Sequence, residues 1–141
     1  MSIRLVLDST SLLAYVNSKD TSGLDVAELI FTVRENGDLT GIPAEVVVAV
    51  WPDLDEPARS RMVDLASAGD GATLVLPLLA TDAIAVAELT IMLPYGDGHA
   101  VAEARSHRAP LATFAPEQVT GHLPLGLVLD LTDDGSGPAD V

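Results

Sequence analysis

The chain of 141 residues has no cysteine, which excludes disulfides and thiolate metal sites. Lysine is nearly absent, with Lys19 its single instance. Aromatic residues make up only 4% of the chain. No apolar run approaches the length needed to cross a membrane. The N-terminus has no basic stretch leading into a long apolar one, so no signal peptide is expected. These absences make a soluble cytoplasmic protein the expected setting. There is no internal repeat, no glycine-rich phosphate loop and no nucleophile-elbow pattern, which argues against nucleotide binding and α/β-hydrolase chemistry.

What the chain does hold is aliphatic residues and acids. Hydrophobic residues reach 48%, much of it Ala, Val and Leu. The core should therefore be aliphatic, with helices packed closely through alanine. A chain of this length is expected to form one domain and to bury roughly 68–70% of its unfolded surface. Twenty-one acids face seven bases, for a net charge of −14. Such a field repels nucleic acid at long range, because phosphate binding depends on Lys and Arg releasing counterions. A nucleic-acid role would require a local exception, a metal ion or a basic partner. Otherwise the charge serves solubility.

The opening run Ile3-Arg4-Leu5-Val6-Leu7-Asp8 is a short apolar segment ending on an acid. It reads as a buried strand over 3–7. Ser9, Thr10 and Ser11 are good capping residues, so a helix should follow over 11–17. Further helices are expected over 24–35, 56–68, 81–92 and 97–107. Strands are expected over 39–42, 73–76, 111–113 and 125–131. The apolar stretch 44–50 fits a buried helix or a strand, and Pro43 before it favours helix. Val26, Leu29, Ile30 and Val33 fall at helical spacing, as do Ile84, Ala87, Glu88 and Ile91. Thr81 is a plausible helix cap. Trp51 is expected as a core or interface anchor. Short strands alternating with helices predict an α/β fold: a three-layer α/β/α sandwich around a mainly parallel sheet. The domain should span 1–131, followed by an acidic, disordered tail over 132–141.

Hard divalent cations take oxygen ligands, and metal-assisted phosphodiester cleavage needs several acids converging on one or two ions. Asp8 qualifies by position, at the carboxyl end of a central strand, where open α/β sheets place ligands. The plainer alternative is that Asp8 only caps the next helix. Asp97 qualifies at a helix start after Pro94-Tyr95-Gly96, where an acid also suits the helix dipole. Glu45 sits near the start of an apolar helix, and Glu88 is a fourth candidate. His99 is two residues past Asp97, and its spacing to Glu103 predicts a surface pair. Arg105, His107 and Arg108 cluster at the end of the Asp97 helix, either as the nearest basic group for RNA or as a helix-end preference.

Taken together, these features resemble the PIN-domain family, the fold of many bacterial toxin ribonucleases, over about residues 3–130. Leu5-Val6-Leu7-Asp8-Ser9-Thr10-Ser11-Leu12-Leu13 looks like the family's first strand and aspartate. Pro94-Tyr95-Gly96-Asp97-Gly98-His99-Ala100-Val101-Ala102-Glu103-Ala104 resembles its later motif, in which an aspartate opens an alanine-rich helix. Pro110-Leu111-Ala112-Thr113 looks like the strand after it. The resemblance implies Mg²⁺- or Mn²⁺-dependent endoribonuclease chemistry carried by three or four acids. Asp8 and Asp97 fall on matching positions and would hold the metal. The family's helix glutamate falls near Val48 or Ala49, and Glu45 lies about a turn earlier. The family's last acid falls on Ala115, and Glu117 lies two residues beyond it. Glu45 and Glu117 are therefore the supporting catalytic candidates.

Two functions are weighed at this point, beside a bland third, a small-molecule-binding α/β protein for which no specific motif argues. One is a metal-dependent toxin ribonuclease with an RNA substrate and a small antitoxin partner. The other is a PIN-like module with a partly degenerate site, acting through a protein partner or through dimerisation. The helix over 24–33 would serve either as a homodimer interface or as core.

Overall fold

A computed structural model describes residues 2–17, 21–67 and 71–132. Strand β1 (Ile3–Leu7) is followed by helices α1 (Ser9–Asn17) and α2 (Thr21–Glu35). Then come β2 (Leu39–Pro43), α3 (Ala44–Val50), α4 (Glu56–Ala66) and β3 (Thr73–Leu76). Helices α5 (Ala83–Thr90) and α6 (Asp97–His107) precede β4 (Leu111–Thr113), α7 (Pro116–Val119) and β5 (Val128–Asp130). All strand pairs are parallel, in the order β3-β2-β1-β4-β5. Helices cover the sheet, giving the three-layer α/β/α sandwich expected. None of the described helices is long and apolar enough to cross a membrane.

The order has a functional consequence. The chain winds from β1 outward through β2 to β3, then returns to the other side of β1 with β4 and β5. The winding reverses between β1 and β4, so the carboxyl ends of those two strands form the crevice where such sheets bind ligands. Asp8 directly follows β1 at that rim. Helix α6 packs on β1, β2 and β4 and also contacts α3 and α5.

The central strands are buried on both faces, so they read as apolar runs rather than alternating ones. Leu5, Val6, Leu7, Leu111 and Ala112 are almost fully buried. The ambiguous stretch 44–50 is a helix, entered through Pro43, and it buries Val46 and Val50. In α2, Val26 and Ile30 join the core, whereas Leu24 and Phe31 remain exposed. Trp51 is half-buried, with the Arg59 guanidinium 4.9 Å from its ring centroid.

Several boundaries differ from expectation for local reasons. Helix α1 starts at Ser9 because Asp8, not a hydroxyl residue, caps it. Helix α2 starts three residues early, at Thr21. The segment expected as one helix over 81–92 splits into a 3-10 turn (Ala80–Asp82) and α5, and neither start has a side-chain cap, so Thr81 does not serve as one. The Ile84 and Ile91 side of α5 faces outward, 75% and 84% exposed, because Val86 makes the buried contact instead. Pro124 opens a 3-10 turn (Leu125–Leu127), closed by Leu127 N–H on the Pro124 carbonyl at 2.8 Å, which delays β5 to Val128. The short helix α7 went unread in the sequence; Pro116 opens it. Ala68 and the tail over 133–141 lie outside the described residues.

Thr40 on β2 and Thr73 on β3 are register partners and both are buried. The Thr73 hydroxyl donates to the Leu65 carbonyl at 2.8 Å, but Thr40 Oγ1 is buried without a partner. Replacing an unsatisfied buried hydroxyl by a methyl of the same shape removes a desolvation cost. Thr40→Val should leave stability unchanged or raise it by about 1 kcal/mol in urea unfolding. A loss of that size would mean that the hydroxyl is satisfied.

Candidate functional site

At the rim, the chain bends from β1 into α1 through Asp8. Asp8 Oδ1 accepts from Ser11 N–H at 3.0 Å, and Asp8 N–H donates back to Ser11 Oγ at 3.0 Å. This reciprocal pair is a capping box built from Asp and Ser. Thr10 Oγ1 also donates to Asp8 Oδ1, at 2.7 Å. The same hydroxyl accepts Phe114 N–H at 2.8 Å, tying the end of β1 to the end of β4. The capping role of Asp8 is thus real, and it does not use up the carboxylate: the hydrogen bonds it accepts all fall on Oδ1.

Asp97 arrives from the other side of the crevice. Tyr95 and Gly96 both adopt positive φ, 57° and 82°, which turns the chain sharply into α6. A Cβ at Gly96 would lie 2.5 Å from the Glu45 carbonyl carbon and oxygen, so only glycine allows this approach of α6 to α3. The turn delivers Asp97 to Ser9, one residue past Asp8. Ser9 N–H donates to Asp97 Oδ1 and Ser9 Oγ–H to Asp97 Oδ2, both at 2.8 Å. Asp8 and Asp97 are 1% and 2% exposed. Two acids 89 positions apart in sequence therefore share one buried site at the sheet rim.

That site is electrostatically strained. Burial first, and the neighbouring Asp8 carboxylate second, push the Asp97 pKa from 3.8 up to about 7, against the Ser9 hydrogen bonds that hold it down. At neutral pH Asp97 is thus balanced between its protonated and ionised forms.

The other expected residues lie elsewhere. Glu45 is half-buried and lines a cavity of about 300 Å³ with Ala44, Val48, Ala49, Thr90 and Gly96. Its backbone N–H donates to His99 Nδ1 at 3.3 Å. The ring proton of His99 therefore sits on Nε2, which meets Glu103 Oε2 at 2.9 Å. The His99–Glu103 pair exists as expected, but it is no surface pair: His99 is fully buried and pins the start of α3 to α6. Glu117 is exposed in the first turn of α7. Among the described residues, no three or more His, Asp or Glu side chains are grouped to hold a metal. The structure brings Asp8 and Asp97 together and adds neither Glu45 nor Glu117 as a third ligand. Glu88 is exposed on α5. Arg105 and Arg108 stand at the far end of α6, about 15 Å along the helix from Asp97 at its ordinary rise.

Sequence reasoning did not single out Ser9 and Thr10 as site residues. Both were read as helix caps, yet their hydroxyls and the Ser9 N–H are what join Asp97 and β4 to Asp8. The signal was the run of three hydroxyl residues directly after an acid.

Mg²⁺ commonly binds through one or two carboxylates and keeps several waters. Asp8 and Asp97 suit one such hydrated ion, Mg²⁺ or Mn²⁺, once Asp97 gives up its proton. They do not suit a pair of ions, which needs bridging and flanking carboxylates that the described residues do not bring to the rim. No protein-family model matches the chain, and neither does any curated protein.

Two outcomes follow from this geometry. The folded-state pKa of Asp97 lies above the unfolded value, so protonated Asp97 stabilises the fold. That contribution is complete below about pH 3.8 and is lost as pH rises through about 7. Asp97→Asn should therefore stabilise the protein above pH 7, by up to about 4 kcal/mol, with the gain vanishing toward pH 4. Thermal unfolding across that pH range reads it, and a destabilised Asp97→Asn at high pH would refute the strained pair. Gly96→Ala should cost more than about 2 kcal/mol, from the left-handed backbone and the contact with Glu45 together. Urea unfolding would show it.

Proposed function

We propose that this chain is a PIN-like domain whose acidic site is reduced to the Asp8–Asp97 pair, and that it acts as a binding module rather than as an efficient ribonuclease. The observation that carries this reading is the donor set at the rim: two carboxylates, one of them holding a proton near neutral pH. The positions where the resemblance expects further acids hold Val48, Ala49 and Ala115. Val48 is 73% exposed and offers no donor oxygen. The charge of −14 and the distance of Arg105 and Arg108 from the rim leave RNA poorly held. Exposed Ile84, Ile91 and Met92 support a protein partner or a second copy on the α5 side, since clustered apolar exposure marks interaction surfaces.

A second reading draws on the convergence of Asp8 and Asp97 at the crevice. Here the pair binds one Mg²⁺ or Mn²⁺, and the ion supplies an activated water and charge stabilisation for RNA cleavage. In that case Ser9 orients Asp97, and Thr10 and Ser11 hold Asp8 toward the ion. A small antitoxin would then be the natural protein partner.

One experiment separates them. Mn²⁺ calorimetry and an RNA cleavage assay are run on the wild type and on Asp8→Asn. The binding-module reading expects weak Mn²⁺ binding, reduced by the substitution, with equal and negligible RNA turnover in both proteins. Mn²⁺-dependent cleavage present in the wild type and lost in Asp8→Asn would establish the nuclease instead.

A further inference from the structure

The end of α6 opposite the acids opens onto a cavity of about 550 Å³ lined by Arg105, Arg108, Pro124 and Leu127. That volume lies within the range of small-ligand sites. Two of the seven basic residues of a chain with net charge −14 meet there. Arg105 is fixed in place: its Nε and Nη2 donate to the His122 carbonyl at 3.0 and 2.7 Å. Among the described residues its Nη1 meets no acceptor. Arg108 makes no side-chain hydrogen bond or ion pair among the described residues. It also caps α6 in the left-handed region, φ 52° and ψ 43°, a position that normally selects glycine. An arginine is therefore kept there at a conformational cost, with its guanidinium unused by the fold.

The carbonyl end of a helix would by itself repel an anion. Here the Arg108 and Ala109 N–H groups both cap the Ala104 carbonyl, which blunts that repulsion. Two guanidiniums then dominate locally, and their planar fork matches a carboxylate. Pro124 and Leu127 add apolar wall. The surrounding negative field penalises each additional charge on a ligand, so a polyanion is disfavoured and a single charge is tolerated best. We propose that this cavity binds a small organic monocarboxylate with an apolar body, the carboxylate on Arg105 and Arg108 and the body against Pro124 and Leu127. The site is independent of how the acidic rim is read.

Calorimetry of the full chain with octanoate tests this, with acetate as the charge without the body and octanol as the body without the charge. Octanoate should bind saturably at one site, with both comparators at least about tenfold weaker. Arg108→Gly removes the guanidinium and relieves the left-handed strain, so the variant should melt no lower than wild type. Its octanoate affinity should nevertheless fall at least about tenfold. Absence of saturable octanoate binding, acetate or octanol binding as tight as octanoate, or wild-type affinity in Arg108→Gly would each overturn the proposal.

Discussion

Two carboxylates buried side by side are the constraint on which the rest of the structure turns. Water would solvate both cheaply, and a protein interior does not. The fold offsets the cost with directed donors: Ser9 gives N–H and O–H to Asp97, while Thr10 and Ser11 serve Asp8. Even so, the donors do not cancel the burial and the mutual repulsion, and Asp97 retains its proton to about pH 7. Much of the local architecture serves to make this juxtaposition possible. The parallel order places β1 and β4 at the switch point, the Tyr95–Gly96 turn swings α6 in, and His99 locks α3 against it.

The pair also sets what the domain can do. A divalent ion held by such a pair would have to displace the Asp97 proton, which would couple its affinity to pH. Among the described residues no third acid joins the pair, so a second ion would lack ligands there. The uneven distribution of charge pulls in the same direction. The arginines at the foot of α6 lie a helix length from the acids, and they face a separate, apolar-walled cavity. Acidic and basic chemistry are segregated to opposite ends of one helix.

Most of the fold was legible because its signals are local. The apolar run of β1, Pro43 ahead of α3 and the aspartate opening α6 each mark a boundary on their own. The convergence of Asp8 and Asp97 was legible only through topology, since a parallel sheet puts successive strand ends on one rim. What stayed hidden depended on tertiary choice. Helical spacing on α5 defined an apolar stripe through Ile84 and Ile91, but the fold buries Val86 and leaves that stripe outside. Helix α7 has four residues, too few for a period. His99 looked like a surface residue because its i+4 partner is charged, whereas its other nitrogen is bound to a backbone N–H from a helix 54 positions away.

The shared buried site is tested most directly by the titration of Asp97 itself. Carboxyl carbon NMR resolves this side chain, with Asp97→Asn assigning its signal. A midpoint near 7 is expected, moving down when Asp8 is replaced by asparagine and its charge is gone. A midpoint near 3.8, indifferent to Asp8, would mean that the two carboxylates do not share a buried site.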